Sequence, residues 1–166
     1  MLFQSGALFD SLSVFDNVAY PLRERHELDD DAIAAKVKET LALVRLESAA
    51  EKMPAELSGG MRKRAALART LVGEPEAVLF DEPSTGLDPM TGATIGSLIL
   101  AAREKLGVTQ VIVTHDLPLA RRVADRLAFL ERGRLLFLGT LAEADASSEP
   151  LLRKFLAGEE EDDDAA

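Results

Sequence analysis

The stretch from residue 57 to residue 88 constrains the fold most, because a glycine turn, a helix, an apolar strand and an acidic turn follow one another there without a gap. It reads LSGGMRKRAALARTLVGEPEAVLFDEPSTGLD. Ser58 is a preferred helix N-cap, and Gly59 and Gly60 let the first backbone N–H groups approach an anion without a Cβ in the way. The pattern predicts a helix from about Met61 to Val72 whose first turn faces a phosphate.

An acidic pair follows this helix. The apolar run Ala77 to Phe80 is typical of a fully buried strand, and it places Asp81 and Glu82 at the carboxyl end of that strand. Two adjacent carboxylates are costly to bury unless they bind a cation or take part in chemistry. We therefore expect the end of this strand to belong to a functional site.

A second strand with a polar end is predicted further along the chain. Pro89 can begin a helix that runs to Leu106, and Gly107 can end it. The apolar run Val111 to Thr114 follows as a buried strand and leads into His115. Strand, helix and strand in this order predict a βαβ unit, so His115 should reach the same carboxyl edge of a parallel sheet as the acidic pair.

Two helices are predicted on the amino-terminal side of this unit. Ser13 and Asp16 have the spacing of a capping box, so a short helix should begin there and end at Pro21. Three aspartates at 29–31 open a second helix that should run to about Leu46. Acids in a first helical turn are favoured by the helix dipole, and we prefer that interpretation of the aspartates to a metal cluster.

A hairpin and two short helices are predicted on the carboxyl-terminal side. The hairpin strands are Leu127 to Leu130 and Leu135 to Leu138, joined by a turn with glycine. Thr140 and Pro150 can each begin a short helix. Residues 159–166 are acidic and unpatterned, and we predict that this tail is disordered because it has little apolar area to bury.

Composition limits the classes of function. The 166 residues fit one domain, and six of the 29 acidic residues lie at 159–164, so the rest of the chain carries only −4 of the net charge of −10. No basic footprint for nucleic acid is present, and we interpret the arginines of the Met61 helix as a solvated face. With no cysteine and no apolar run of 18 residues, disulfides and thiolate metal sites are excluded, and any membrane role should come through a partner.

Four motifs occur in one order along the chain. They are the pentapeptide 57–61, the strand that ends in Asp81-Glu82, the turn 84–88, and the run 114–116 after the second strand. In this order and at this spacing they resemble the nucleotide-binding subunit of an ABC transporter. The resemblance implies an α/β fold of the P-loop NTPase type, with a mostly parallel sheet flanked by helices and a helical subdomain. It also implies an enzyme that binds ATP with Mg²⁺ and couples ATP hydrolysis to transport.

The resemblance assigns chemistry to four residues. Glu82 would be the general base that activates the attacking water, and His115 would contact the γ-phosphate. Asp81 would hold Mg²⁺. Gln4 stands at the place of the family's Q-loop glutamine and would sense the metal and the γ-phosphate.

The resemblance also implies that ATP is held between two subunits. Ser58, Gly59 and Gly60, the signature loop, would bind the γ-phosphate of the ATP that the partner chain holds. Asp88, in the D-loop, would communicate between the two sites. Hydrolysis would then open a dimer that ATP had closed, and this motion would drive a membrane permease.

One segment narrows the resemblance further. Residues 4–24 are similar to the ATPases of Mla-type phospholipid transporters. This implies lipid transport by a homodimer of ATPase subunits with an integral-membrane permease and lipid-carrying substrate-binding components. The subunit would lie in the cytoplasm on the inner face of the cell membrane, with no nucleic-acid partner. The apolar side chains of Leu8, Phe9 and Leu12 are equally consistent with packing inside the helical subdomain and with contact to the permease.

One family motif is missing from the sequence. No G-x-x-x-x-G-K-[ST] loop is present, and we expect a gene model truncated at an internal methionine, without the phosphate loop and the opening strands of the sheet. Residues 1–158 would be a partial ABC ATPase domain, with the Q-loop and helical subdomain at about 5–56 and the other motifs at 57–158. Two alternatives stay open: a non-catalytic module that lends its signature loop to another subunit, and an ABC ATPase that works without a permease.

Overall fold

The computed structural model describes residues 1–4 and 6–158, and its elements give an α/β fold. The helices of this described part are α1 (Val14–Arg25), α2 (Asp30–Leu43), α3 (Gly59–Leu71), α4 (Pro89–Leu106), α5 (Leu117–Val123), α6 (Leu141–Asp145) and α7 (Pro150–Ala157). Its strands are β1 (Ala77–Asp81), β2 (Thr109–Val113), β3 (Leu127–Glu131) and β4 (Arg134–Gly139). The chain divides into two compact units, Met1–Leu119 and Ala120–Ala166.

The first unit contains the predicted parallel pair. β1 lies parallel to β2 with Leu79 opposite Val111, and α4 connects the two strands. Leu2 forms a single parallel bridge to Phe80 on the other side of β1. Because parallel strands end at one edge of a sheet, the residues after Leu2, β1 and β2 all emerge on the same side. The predicted βαβ unit is confirmed.

The expectation that both strands are fully buried is wrong. Side chains alternate along β1, with Val78 and Phe80 buried and Leu79 49% exposed. Val111 and Val113 of β2 are also exposed, at 51% and 61%. The face that carries Val78 and Phe80 is buried, while the described residues leave the opposite face, which carries these three side chains, in contact with solvent.

Helix α1 does not end at Pro21. It continues to Arg25, and His26 closes it in the left-handed conformation with φ of 54°. Pro21 removes one helical hydrogen bond, yet Val18 and Leu22 on either side of it are buried. Burial of an aliphatic side chain stabilises by about 1.5–3 kcal/mol, so packing of this face against the rest of the unit outweighs the lost bond.

Helix α2 begins at the predicted aspartates but is shorter than expected. Ile33, Val37 and Leu41 are buried along one face. Asp29 caps the helix by accepting the amide of Ala32 at 2.8 Å. The predicted end at Leu46 is wrong, because Arg45 takes a left-handed φ of 57° that stops the helix at Leu43.

The arginines of α3 form a solvated face only in part, which corrects that interpretation: Arg62 is exposed, whereas Arg64 and Arg69 are partly buried. All four basic side chains of the helix donate hydrogen bonds to backbone carbonyls of nearby segments. The pairs are Arg62 to Leu57 at 2.9 Å, Lys63 to Glu82 at 3.1 Å, Arg64 to Arg45 at 2.9 Å, and Arg69 to Gly6 at 3.0 Å. Loop carbonyls lack partners in regular structure, and charged donors satisfy them strongly. Helix α3 thus holds its neighbouring loops in place.

The second unit contains the predicted hairpin. β3 and β4 are antiparallel, and the ring of Phe129 in β3 lies 5.4 Å from that of Phe155 in α7. Thr140 begins α6 with a full capping box, because its side chain accepts the amide of Glu143 and the Glu143 carboxylate accepts the amide of Thr140. The acidic tail at 159–166 lies outside the described residues. Within the described part, no helix combines the length and the apolarity needed to cross a bilayer.

Candidate functional site

The acidic pair lies where β1 ends. The amide of Asp81 donates to the Leu2 carbonyl at 2.9 Å, and the amide of Glu82 donates to the Val113 carbonyl of β2 at 2.9 Å. Glu82 then turns out of the strand with φ of 46°, a left-handed value that residues other than glycine seldom adopt. Such backbone costs free energy; it ends helices at His26 and Arg45, and away from helix ends it is found at functional sites.

The Glu82 carboxylate is surrounded by donors from two turns. Oε1 accepts the His115 amide at 3.1 Å and lies 2.9 Å from Nδ1 of the same residue. Oε2 accepts the hydroxyl of Thr85 at 3.0 Å and that of Thr114 at 3.3 Å. The predicted convergence of Glu82 and His115 is therefore present as a direct contact. The carboxylate is 18% exposed, whereas the imidazole is 75% exposed.

The surroundings of Glu82 favour its ionised form. Burial raises the pKa of this carboxyl, but the hydrogen bonds from His115 and Thr85 and the charge of His115 outweigh burial, so the pKa lies below its ordinary value. Glu82 is therefore a carboxylate at neutral pH. A carboxylate that is fixed by hydrogen-bond donors at the end of a strand can orient a water molecule and accept its proton.

A second hydrogen-bonded pair fixes the same two turns. The buried Ser84 donates to Oδ2 of Asp116 at 2.6 Å, and Oδ1 of Asp116 accepts the amide of Leu119 at 3.0 Å. The amide of Asp116 donates to the Thr114 hydroxyl at 3.0 Å. Sequence reasoning gave Ser84 no role, although a serine two residues after the acidic pair was visible. This pair ties the turn after β1 to the turn after β2.

Gln4 lies at the same edge of the sheet. It follows Leu2 by two residues, and Leu2 accepts the amide of Asp81. The next part of that loop is held by α3, since Arg69 binds the carbonyl of Gly6 and its guanidinium lies 5.5 Å from the ring of Phe9. The amide oxygen of Gln4 and the carboxylate of Asp81 are hard oxygen donors of the kind that Mg²⁺ prefers.

The signature loop is built on the start of α3. Ser58 caps the helix by accepting the amide of Met61 at 3.3 Å. Ser58 and Gly59 are exposed, and the amides of Gly59 and Gly60 belong to the first turn, which has no carbonyl of its own helix to bind. This end of the helix meets the requirements of an anion-binding terminus.

Asp88 and the signature loop lie together. Asp88 caps α4 by accepting the amides of Met90 and Thr91, at 3.1 and 3.0 Å, and the Thr91 hydroxyl. The hydrogen bond from the Thr91 side chain leads the contacts that hold the pKa of Asp88 below its ordinary value. A Cβ on Gly60 would lie 2.4 Å from the methyl group of Thr91. In the part of the chain that the structure describes, no hydrogen bond joins Ser58 or Asp88 to Glu82.

Comparisons with known proteins agree with this geometry. Residues 1–85 match the model of the family described as ABC transporter. The intermembrane phospholipid transport system ATP-binding protein MlaF of Escherichia coli is 46% identical over 158 residues, which cover 95% of this chain and 59% of that protein. The probable ribonucleotide transport ATP-binding protein mkl of Mycobacterium bovis is 45% identical, over 95% of this chain and 44% of that protein. The chain thus spans about half the length of these relatives.

Solved structures show the same fold. A dimeric, post-hydrolysis state of the ATP-binding cassette MJ0796, bound to ADP and Pi, matches with a TM-score of 0.75 and 33% identity, over 84% of this chain and 61% of that one. CbiO1 from Clostridium perfringens, part of the transporter complex cbiONQ, matches with a TM-score of 0.81 and 32% identity, over 93% and 62%. With the acidic edge and the open helix terminus on a matching fold, the chain belongs to the ABC transporter family.

Proposed function

We propose that this chain is the ATP-hydrolysing part of an ABC transporter and that Glu82 is its general base. One observation carries the proposal. The Glu82 carboxylate stands at the carboxyl edge of a parallel pair of strands, is ionised at neutral pH, and contacts His115 from the neighbouring turn. Ligands of open α/β sheets bind at this edge.

In the mechanism we propose, this chain's residues position the reacting groups. Glu82 orients the attacking water and accepts its proton, and His115 moves from Glu82 to the γ-phosphate when nucleotide is present. Asp81 and Gln4 would hold Mg²⁺, which supplies charge neutralisation of the phosphate oxygens when it is bound. The hydroxyl groups of Thr85 and Thr114 hold the Glu82 carboxylate in one orientation while nucleotide binds and leaves.

The signature loop serves a second copy of the chain. Ser58 and the amides of Gly59 and Gly60 would bind the γ-phosphate of the nucleotide that the partner holds. Asp88 accepts the hydroxyl of Thr91, whose methyl group lies next to Gly60, and through this contact Asp88 would transmit closure of the dimer. Two observations support this assembly: Ser58 and Gly59 are exposed, and among the residues that the structure describes no hydrogen bond joins the loop to Glu82 of its own chain. The dimeric form of the solved relative with ADP and Pi is consistent with it.

The transported substrate we propose is a phospholipid. The relative named for phospholipid transport is 46% identical, and the segment 4–24 resembles this class. The ATPase would lie on the cytoplasmic face of the inner membrane, bound to an integral-membrane permease that works with lipid-carrying components.

The test of hydrolysis uses a phosphate-loop chimera. The segment of the Escherichia coli phospholipid relative that precedes the position aligned with residue 1, its phosphate loop included, is joined in frame to residue 1 of this chain. We expect the chimera to hydrolyse Mg-ATP and to dimerise with ATP in light scattering. The 166-residue chain alone is the matched control, and titration calorimetry should show no tight Mg-ATP binding because the chain has no G-x-x-x-x-G-K-[ST] loop. A folded chimera that binds ATP without hydrolysing it would contradict the enzymatic role and favour a binding module.

A second measurement addresses the substrate. The chimera is combined with the permease of the same Escherichia coli system in phospholipid nanodiscs. Formation of the complex and lipid-dependent hydrolysis would support phospholipid transport. Hydrolysis that responds to a ribonucleotide and not to the lipid would favour the activity for which the mycobacterial relative is named.

A further inference from the structure

Lys63 is a buried cation that the catalytic proposal does not use. It lies in the second turn of α3 and is only 8% exposed. Lysine is seldom buried to this extent without a partner. Its Nζ donates to the carbonyl oxygen of Glu82 at 3.1 Å, across 19 residues of sequence.

The carbonyl that Lys63 binds belongs to the strained residue of the site. Glu82 has φ of 46°, and its carbonyl oxygen also accepts the amide of Thr85 at 3.3 Å. Two donors, one of them charged, therefore converge on one oxygen. Left-handed backbone at a glutamate costs free energy, and the Lys63 ammonium is a charged donor that binds the main chain of Glu82.

Charge adds to the geometry. The negative charges of Asp81 and Glu82 lie close enough to favour the protonated form of Lys63. Burial acts in the other direction and is the larger effect, so the pKa of Lys63 lies below its ordinary value. The Lys63 ammonium thus binds the main chain of the acidic turn from a buried position, and the charges of Asp81 and Glu82 favour its cationic form there.

We infer that Lys63 is a positioning residue: its ammonium fixes the Glu82 main chain and so aims the general base, and it ties that base to the helix that begins at the signature loop. This inference rests on the proposed function of Glu82. Ser58, which caps α3, and Lys63, which binds Glu82, are five residues apart on one helix. A displacement of α3 when the signature loop binds phosphate therefore reaches the base of the same chain through one hydrogen bond.

The first test needs no nucleotide. Amide hydrogen exchange and histidine side-chain spectra are recorded by NMR on the 166-residue chain as wild type, Lys63→Met, Lys63→Arg and Lys105→Met. The chain has two histidines, so His26 is an internal reference for His115. Lys105 is the matched control because it is an exposed lysine that pairs with Glu39 at 3.0 Å.

Lys63→Met should act locally. We expect the amides of Thr85 and His115, which donate to Glu82, to exchange about tenfold faster, whereas those of Leu67 and Ala68 in α3 change by less than about twofold. The His115 imidazole signals should shift and those of His26 should stay. Lys63→Arg keeps a cationic donor and should restore the wild-type pattern, and Lys105→Met should leave it unchanged.

Three results would overturn the inference. Unchanged exchange at Thr85 and His115 in Lys63→Met would show that the lysine does not fix Glu82. Equal acceleration in α3 would show a packing role alone. Failure of Lys63→Arg to restore the pattern would remove the charged hydrogen bond as the cause.

A kinetic test connects the lysine to catalysis. In the phosphate-loop chimera, Lys63→Met should lower kcat about tenfold, because the Glu82 carboxylate loses its orientation toward the attacking water. KM for ATP should change by less than about twofold, because other residues bind the nucleotide. An equal kcat for both proteins would contradict the inference. If the wild-type chimera itself fails to hydrolyse ATP, the proposed function fails, whereas the exchange result on Glu82 stands on its own.

Discussion

The Glu82 cluster and the signature loop are each proposed to act on a γ-phosphate, Glu82 at the nucleotide of its own chain and the loop at that of the partner, yet they are built in opposite ways. The Glu82 carboxylate already has donors from Thr85, Thr114 and His115. The first amides of α3 at Gly59 and Gly60 lie outside the hydrogen bonds of their own helix. The Glu82 carboxylate finds its hydrogen-bond partners within the chain, whereas the first amides of α3 remain available to a ligand.

This difference separates two kinds of constraint. The Glu82 carboxylate is already hydrogen-bonded, and it must keep the orientation in which it can accept a proton from water. The important residues around Glu82 are therefore hydrogen-bond donors such as Thr85 and Lys63. An open helix terminus needs room above it, so the residues that matter there are small. Changes in the first region should alter the rate of hydrolysis, and changes in the second should alter assembly around nucleotide.

The largest effect is expected when the carboxylate is neutralised. Glu82→Gln in the phosphate-loop chimera should lower the rate of hydrolysis by about 10²–10⁴-fold, because a positioned general base contributes this much. ATP binding, measured by calorimetry, should be preserved since the phosphates are held by other groups. Glu74→Gln is the control, because Glu74 is an exposed carboxylate that pairs with Lys36. Near-normal turnover of Glu82→Gln would remove Glu82 from the role of base.

Filling the open terminus should have the next largest effect. Ser58→Arg in the chimera should lower hydrolysis by roughly 10²-fold, since it blocks preorganised donors, while ATP binding to the separate monomer stays close to normal. Ser13→Arg is the control, because Ser13 also caps a helix and lies outside the proposed site. An equal loss of ATP binding in the Ser58→Arg monomer would contradict a site shared between two chains.

The need for room is tested by two neighbouring glycines. Gly60→Ala should lower the free energy of unfolding of the 166-residue chain by about 1–3 kcal/mol, because the new Cβ would lie 2.4 Å from the Thr91 methyl group. A Cβ on Gly59 would lie at an ordinary contact distance of 3.7 Å from Leu87, so Gly59→Ala should be neutral or slightly stabilising. Adding Thr91→Ser to Gly60→Ala removes the methyl group and should restore much of the loss. Urea unfolding gives all of these values, and equal stability of the two alanine variants would refute the contact.

The smallest effect concerns pH. The pKa of Glu82 is lower in the folded chain than its ordinary value, so Glu82 contributes stability above that ordinary value, and the contribution is lost as the pH falls through the folded pKa. The free energy of unfolding of wild type should therefore decrease more steeply below pH 4.5 than that of Glu82→Gln. Denaturant unfolding at a series of pH values measures both slopes. Parallel curves would mean that the donors do not favour the charged form.

The sequence predicts the regular part of this site well. The acids at the end of β1, the histidine after β2, and the caps at Ser58 and Thr140 follow from local patterns, because a strand end or a helix start is defined by a few neighbouring residues. The contact between Glu82 and His115 also follows from the geometry of parallel strands.

Other features depend on contacts between distant segments. Pro21 was predicted to stop α1 on local grounds, and burial of its neighbours overrides that preference. The cations of α3 look like surface residues in the sequence because their acceptors are backbone carbonyls, which carry no signal in the choice of amino acid. The role of Lys63 is invisible for the same reason. No local pattern reports that its acceptor lies 19 residues away.

The hydrogen bonds from α3 have a consequence for how sequences of this kind can vary. Every residue has a carbonyl oxygen, so an acceptor such as Arg45 can be exchanged for another residue without losing its function as acceptor, provided the loop keeps its path. The donors cannot be exchanged so freely, because only a long cationic side chain reaches these oxygens. We therefore expect substitutions to be tolerated more readily at the acceptor positions in the loops than at the basic positions of α3. The geometry of the site would then depend on the side chains of one helix.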